Sequence, residues 1–267
     1  MLLATLILAQ AQTKAPSCCD PMAAFASDPK FALAHPKPKM LRFQATTGKD
    51  VTFPAKDGTP AKGFYVPGRK AALVMCPEYW GLNDYIKREA ERYHKATGYA
   101  VLAVDLYDGK IATDAQTAGQ YMKEADPARD TAIVSGAVAA LEKGSLGAKY
   151  AKLGTIGWCF GGGWSLNTAV AGGSAVKASV AYYGMPPQDV TPIKAPVLFV
   201  WATQDGWINR DVVSGFKSRM AAEKKPLTVL PYDAAHAFAN PSNPKYDATA
   251  AKSANAKTLA FLKSKLG

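Results

Sequence analysis

Short apolar segments alternate with helical segments along most of the chain, and this alternation limits the possible folds more than any other feature. Apolar strands joined through helices form mostly parallel sheets that are covered on both faces. A Lys56-Asp57-Gly58 turn between two earlier strand-like segments predicts an antiparallel hairpin. We therefore predict an α/β fold, with a mostly parallel, doubly wound sheet and an antiparallel N-terminal hairpin at its edge. The predicted strands cover 71–76, 99–105, 153–157, 178–183, 197–202 and 227–232, and the predicted helices cover 84–97, 114–143, a segment from about 161, 211–223 and 246–265.

The N-terminal part of the chain does not share this pattern. Residues 2–9 are a short apolar run that is followed by an Ala9-Gln10-Ala11 cleavage motif, although no Lys or Arg precedes the run. We interpret 1–12 as a signal peptide, 13–40 as an N-terminal extension over the surface, and 41–267 as one domain. Export to the periplasm or the medium is expected, and a cytoplasmic location is the alternative.

The chain is basic, with a formal net charge of +11, but its lysines are scattered. Its nearest clusters, Lys37/Lys39 and Lys224/Lys225, are too short to follow a phosphate backbone. The apolar run at the N-terminus is too short to span a bilayer. We therefore expect no nucleic-acid partner and no membrane partner. A monomer is expected as well, although neither observation bears on it.

One glycine motif indicates a nucleophile. Gly157-Trp158-Cys159-Phe160-Gly161 lies between a predicted strand and a predicted helix. This is the nucleophile elbow of the α/β-hydrolase fold with Cys in place of Ser, and the chain contains no G-x-S-x-G. Cys159 is therefore the predicted nucleophile. The alternative is a buried structural cysteine in a glycine turn.

A thiol nucleophile needs a base, and the chain has three histidines. His35 lies in the extension, and His94 lies among charged residues on what looks like a solvated helix face. His236 alone follows a predicted strand, at the sheet edge where chemistry occurs in such folds. His236 is therefore the predicted base.

The acid and the oxyanion hole follow from chain order in this fold, which runs nucleophile, acid, histidine. Asp205 fits best, because it follows a predicted strand between the other two residues. Asp211 is explained as a helix cap, and Asp233 stays an alternative. The amides of Phe160 and Tyr79 are the candidate oxyanion donors.

Several separate motifs occur in one order along the chain. They are Glu78-Tyr79-Trp80-Gly81-Leu82-Asn83, Asp105-Leu106-Tyr107, Gly157-Trp158-Cys159-Phe160-Gly161-Gly162-Gly163, Asp205-Gly206 and His236-Ala237-Phe238. In these motifs, and from about Lys49 to the C-terminus, the sequence resembles the dienelactone hydrolase family of α/β-hydrolases. The resemblance implies a triad of Cys159, His236 and Asp205. It also implies that Glu78 contacts the resting thiol and takes its proton when substrate binds.

Two arginines that hold the carboxylate of dienelactone in family members are missing here. Their places are taken by the Asp108-Gly109-Lys110 segment and by Asn240. Lys110 or Arg210 would supply a point charge but not a bidentate clamp. We therefore expect that dienelactone itself is not the substrate.

Aromatic side chains near the motifs favour an uncharged ester or lactone. Trp80, Trp207 and Phe238 are the candidate substrate-binding residues, and Trp158 is equally well explained as core packing. The full set of candidate wall residues is Tyr79, Trp80, Trp158, Phe160, Trp207 and Phe238.

The sequence thus predicts a hydrolase that cleaves an ester or lactone through an acyl-thioester intermediate, with a small molecule as its partner. No metal or organic cofactor is expected, because Cys18-Cys19 has no matching ligand pair nearby. The first alternative is a non-catalytic exported binding protein on the same scaffold. The second is a thiol redox protein that uses Cys76 and Cys159, although the chain lacks a C-x-x-C motif.

Overall fold

The structure is a computed structural model that describes residues 25–26, 28–39 and 41–267. The predicted signal peptide, 1–12, and the Cys18-Cys19 pair lie outside the described residues. Within the described ranges, no helix combines the length and the apolar character needed to cross a bilayer.

A single eight-stranded sheet runs through the domain, in the order β1-β2-β4-β3-β5-β6-β7-β8. The pairs β1–β2 and β2–β4 are antiparallel, and the other neighbouring pairs are parallel. This confirms the predicted mostly parallel sheet with an antiparallel N-terminal edge. The strands are β1 (Lys49–Pro54), β2 (Pro60–Val66), β3 (Ala72–Cys76), β4 (Ala100–Val104), β5 (Leu153–Trp158), β6 (Val176–Tyr182), β7 (Val197–Ala202) and β8 (Leu227–Tyr232).

The helices connect the parallel strands, as predicted. The region 114–143 forms two helices, and Pro127 occupies the first turn of the second one, where its missing amide proton costs nothing. The helices are α1 (Pro29–Ala34), α2 (Asp84–Thr97), α3 (Ala115–Glu124), α4 (Pro127–Lys143), α5 (Phe160–Gly172), α6 (Arg210–Ala222) and α7 (Ala248–Leu266).

The predicted cap of α6 was wrong. Asn209 is the N-cap residue, and its side-chain oxygen accepts hydrogen bonds from the amides of Asp211 and Val212. Asp211 lies in the first turn instead, where its negative charge interacts favourably with the helix dipole.

Trp158 belongs to the core. Its side chain is 1% exposed, and its ring centroid lies 6.1 Å from that of Tyr93 and 5.6 Å from that of Tyr182. Successive strand residues point to opposite faces of the sheet. The side chain of Trp158, the last residue of β5, therefore packs in the core against Tyr93 of α2 and Tyr182 of β6 and does not line the active site.

The described part of the N-terminal extension contains a helix that packs against the domain. This helix is α1, which Asp28 caps by accepting a hydrogen bond from the amide of Lys30. Phe31 and His35 are 2% and 1% exposed, whereas Leu33 on the opposite face is 79% exposed. A helix of six residues is too short to produce a recognisable apolar period, so the sequence did not predict this helix.

Candidate active site

The chain turns sharply at Cys159, between β5 and α5. Cys159 has φ 56° and ψ −122°, a conformation that side-chain-bearing residues rarely adopt. A Cβ atom on Gly157 would lie 1.9 Å from the carbonyl oxygen of Gly161, and one on Gly161 would lie 2.2 Å from that of Cys76. Both glycines are therefore needed for strand and helix to approach, and the turn holds Cys159 at the carboxyl edge of the sheet.

His236 and Asp205 lie at the same edge, in the loops after β8 and β7. Nδ1 of His236 is 2.5 Å from Oδ2 of Asp205, and the amides of Trp207 and Ile208 donate to Oδ1 of Asp205 at 2.9 and 3.1 Å. Because the carboxylate accepts, Nδ1 of His236 carries a proton, and Nε2 carries a lone pair whenever the imidazole is neutral. Nε2 is buried, and one imidazole nitrogen of His236 lies within 4.8 Å of Sγ of Cys159. The structure thus brings the predicted nucleophile, base and acid together.

The charges of this group stabilise one another. Burial opposes ionisation of Asp205, but His236 and the two amides outweigh it and hold the pKa of Asp205 below its ordinary value. Burial also opposes protonation of His236, but Asp205 and the neighbouring sulfur raise its pKa well above the ordinary value. Asp233, the alternative acid, is exposed and accepts a hydrogen bond from Gln204 instead.

Phe160 and Tyr79 lie where an oxyanion hole requires donors. Phe160 is the first residue of α5, so its amide is among those that have no acceptor within the helix. Tyr79 lies in the loop after β3, and its side chain is 1% exposed. Their roles as donors stay predictions.

Glu78 is buried and bound to Asn240. Its Oε2 accepts a hydrogen bond of 2.7 Å from Nδ2 of Asn240, and Oε1 has no hydrogen-bond partner in the described part of the chain. Burial raises the pKa of Glu78 to about 7, against the opposing effects of Asn240 and His236. Neither oxygen of Glu78 is hydrogen-bonded to the thiol of Cys159 within the described ranges, and the implied contact between the two stays a prediction. Asn240, known from sequence only as the place of a missing arginine, proves to orient this carboxylate.

The thiol of Cys159 faces His35 of the extension. Nε2 of His35 lies 3.7 Å from Sγ, and Nδ1 lies 2.7 Å from the carbonyl oxygen of Phe31. A carbonyl only accepts, so Nδ1 carries the proton and the Nε2 lone pair points at the sulfur. Burial, reinforced by repulsion from His236, lowers the pKa of His35 to about 3. Sequence reasoning set His35 aside because no strand precedes it.

Aromatic rings from the domain surround this histidine. Centroid distances from His35 are 4.8 Å to Tyr79 and 6.1 Å to Trp207, and Trp80 packs on Tyr79 at 4.5 Å. The other predicted contact residue, Phe238, packs in the core against its aromatic neighbours and is 0% exposed. Cys159 is 1% exposed and Nε2 of His35 lies against its sulfur, so the docked extension covers the predicted nucleophile.

The remaining candidates have other partners. Lys110 lies 3.9 Å from Glu124 in an exposed ion pair, and Arg210 is exposed at the start of α6. Cys76 is a free, buried thiol 3.7 Å from Oγ1 of Thr168, and burial raises its pKa to about 12. These contacts favour the packing interpretation of Cys76 over a redox role.

Sequence comparisons relate this chain to known proteins. The model of the dienelactone hydrolase family matches residues 58–266. A carboxymethylenebutenolidase from Pseudomonas putida is 30% identical over 229 residues, which cover 79% of this chain and 91% of the relative. A carboxymethylenebutenolidase from Cupriavidus pinatubonensis is 25% identical, over 83% of this chain and 91% of the relative.

Solved structures show the same fold. A dienelactone hydrolase-like promiscuous phosphotriesterase from metagenomic libraries has a TM-score of 0.72 at 23% identity, and the match covers 83% of this chain and all (100%) of that chain. An esterase from Pyrobaculum calidifontis has a TM-score of 0.60 at 17% identity, over 85% of this chain and 87% of that chain. Because the family model spans most of its length, the chain belongs to the dienelactone hydrolase family and is a hydrolase of the carboxylic-ester and lactone class.

Proposed function

We propose that the protein hydrolyses an uncharged ester or lactone with Cys159, His236 and Asp205 as its catalytic triad. One observation carries the proposal. The 2.5 Å contact between Asp205 and His236 directs Nε2 of His236 towards a cysteine that is held in a strained elbow. Nucleophile, base and orienting acid in this order form the arrangement that acyl transfer needs.

In the acylation step the thiol of Cys159 is the nucleophile. Sγ of Cys159 attacks the carbonyl carbon while its proton passes to Nε2 of His236, and Asp205 stabilises the imidazolium that forms. The amides of Phe160 and Tyr79 hold the negative oxygen of the tetrahedral intermediate. When the C–O bond of the substrate breaks, His236 returns the proton to the leaving oxygen. An ester releases its alcohol, and a lactone opens to a hydroxy acyl group that stays attached to sulfur.

Deacylation uses water. His236 takes a proton from the water molecule that attacks the thioester carbon, and the second tetrahedral intermediate collapses with release of the acid. The proton on His236 then returns to the sulfur of Cys159. No electrons are exchanged with an external partner in either half of the reaction.

The choice of an uncharged substrate follows from Asn240 and its surroundings. Asn240 stands where one of the two arginines is missing, and it binds Glu78 through a neutral amide. It therefore supplies no fixed positive charge for a substrate carboxylate. The rings of Tyr79 and Trp207 line the approach to Cys159 once His35 is displaced. Apolar rings of this kind favour an ester or lactone without a charged group near the carbonyl.

Glu78 acts before the attack in this mechanism, while the thiol of Cys159 is still protonated. Its unpartnered, buried Oε1 and its pKa of about 7 suit a group that takes the thiol proton when the extension moves and passes it to His236 as the sulfur attacks.

We also propose that the protein is a monomer exported through residues 1–12. Peptide mapping of a periplasmic fraction, with processing near residue 12 as the expected result, tests the export.

A panel of esters and lactones, beginning with p-nitrophenyl acetate, tests the function. Cys159→Ala is expected to abolish turnover and Cys159→Ser to leave a poor enzyme, because a serine hydroxyl does not ionise as a thiol does. Cys76→Ala, the matched variant of the other buried thiol, is expected to keep the wild-type rate. A wild-type protein no faster than Cys159→Ala on every substrate would instead favour the binding-protein alternative.

A further inference from the structure

We propose that Cys159, His236 and His35 form a binding site for a borderline or soft transition-metal ion, Zn²⁺ or Cu⁺. Sγ of Cys159 and one imidazole nitrogen of each histidine all lie within 4.8 Å of one another. The site is complete only while residues 28–39 are docked, because His35 belongs to that segment. The proposal goes beyond the hydrolytic function and does not depend on it.

Both imidazoles are oriented as metal ligands are. Nδ1 of His236 is bound to Asp205, and Nδ1 of His35 is bound to the carbonyl oxygen of Phe31. A carboxylate or carbonyl behind the histidine fixes the ring and leaves the other nitrogen free to bind a metal. Nε2 of His236 is buried and has no hydrogen-bond partner in the described part of the chain.

The distances fit a tetrahedral ion. Zn–S and Zn–N bonds of about 2.3 and 2.0–2.1 Å set the sulfur and nitrogen ligands about 3.6 Å apart. Sγ of Cys159 and Nε2 of His35 lie 3.7 Å apart. The wider pairs lie within 4.8 Å, so a movement of about 1 Å brings His236 to bonding distance. Three protein ligands leave a fourth position for water.

The ligand set selects the class of ion. Thiolate and imidazole favour Zn²⁺ and Cu⁺ over Mg²⁺ and Ca²⁺, which prefer oxygen ligands. Binding replaces the thiol proton of Cys159 by the metal and releases that proton to solvent. Since Cys159 and His35 are each 1% exposed, the ion enters when the segment opens and is enclosed when it docks again. A bound ion would therefore keep residues 28–39 closed over the thiol.

Metal titration of the full chain tests the site. Cys18 and Cys19 are replaced by Ser in every variant, so that they cannot bind the ion, and the reduced protein is first stripped with a chelator. Zn²⁺ affinity is measured by competition with a chromophoric chelator, and Co²⁺ serves as the spectroscopic probe. We expect one equivalent of either ion and a thiolate-to-cobalt charge-transfer band.

Variants assign the ligands without any activity measurement. We expect His35→Ala to weaken Zn²⁺ binding at least tenfold, Cys159→Ser to abolish the charge-transfer band, and His94→Ala, the matched histidine outside the site, to change neither. Zn²⁺ should also slow amide exchange in residues 28–39 of the parent protein but not of His35→Ala, with unchanged circular dichroism. Absence of binding, equal affinity in His35→Ala, or a cobalt spectrum without the charge-transfer band would overturn the proposal.

Discussion

Phe31 of α1 packs against three aromatic rings at the active site. Its ring centroid lies 5.2 Å from that of Trp207 and 5.8 Å from that of Tyr79, both edge-on, and 4.0 Å from that of His35 in a tilted arrangement. Replacement by Ala removes these contacts and leaves the triad untouched. We predict that Phe31→Ala increases the rate at which substrates and thiol reagents reach Cys159.

The magnitude follows from burial of the ring. Phe31 is 2% exposed, and complete burial of an aromatic side chain contributes about 1.5–3 kcal/mol. Each 1.4 kcal/mol is about a factor of ten, so the ratio of docked to open segment should fall about 10- to 100-fold. Apparent affinity is proportional to the open fraction. We therefore expect kcat/KM to rise about tenfold or more, until the open form predominates.

Two assays separate access from chemistry. Hydrolysis of p-nitrophenyl acetate reports the catalysed reaction, and iodoacetamide labelling reports access to Cys159 when peptide masses distinguish it from the other cysteines. Leu33→Ala is the matched control, because Leu33 lies on the same helix but is 79% exposed. Equal labelling and equal kcat/KM in Phe31→Ala and wild type would refute the reasoning that the segment limits access.

Three further predictions concern the triad, the extension and the elbow. Asp205→Asn should lower kcat/KM by about 10³–10⁴-fold in steady-state kinetics, because the histidine loses its orienting charge. Docking lowers the pKa of His35 to about 3, so the docked segment holds this imidazole neutral. The stability of docking is therefore complete above about pH 6.5 and is lost as the pH falls towards 3. Trp207 fluorescence should change over that pH range in the wild type and stay constant in His35→Gln. Gly161→Ala should lower the free energy of unfolding by several kcal/mol in urea titrations, because the new Cβ would lie 2.2 Å from a backbone oxygen of β3. The control is Gly215→Ala on α6, whose Cβ would meet only the flexible end of an arginine at 3.3 Å. This control should be neutral or slightly stabilising.

The triad could be predicted from the sequence because its signals are local. The glycines around Cys159 mark a strand-to-helix turn, and each partner residue follows an apolar strand whose carboxyl end reaches the same sheet edge. The chain order of the fold, nucleophile, acid, histidine, then favours His236 and Asp205 over the other histidines and aspartates. The cap of α6 was missed by two positions, since Asn209 and Asp211 are equally suitable types and only the backbone angles decide between them.

Long-range contacts could not be predicted in this way. Glu78 and Asn240 are 162 positions apart, and nothing near either residue indicates their hydrogen bond. His35 lies 124 positions before Cys159, next to a helix that is too short to show periodicity. Its place at the site depends on how Phe31 packs against the domain, and that is a property of the folded surface.

These contacts make the state of the thiol depend on the extension. With α1 docked, the sulfur of Cys159 faces the Nε2 lone pair of His35, whose pKa of about 3 makes it too weak a base to take the thiol proton at neutral pH. When α1 leaves, His236 is the nearest imidazole within 4.8 Å, and Asp205 makes it a strong base. The same movement that admits a substrate therefore leaves His236, which lies within 4.8 Å of the sulfur in the docked form as well, as the imidazole beside the thiol. A chain that begins at Leu41 keeps every residue of the triad but loses this coupling, and its kinetics would describe only the open enzyme.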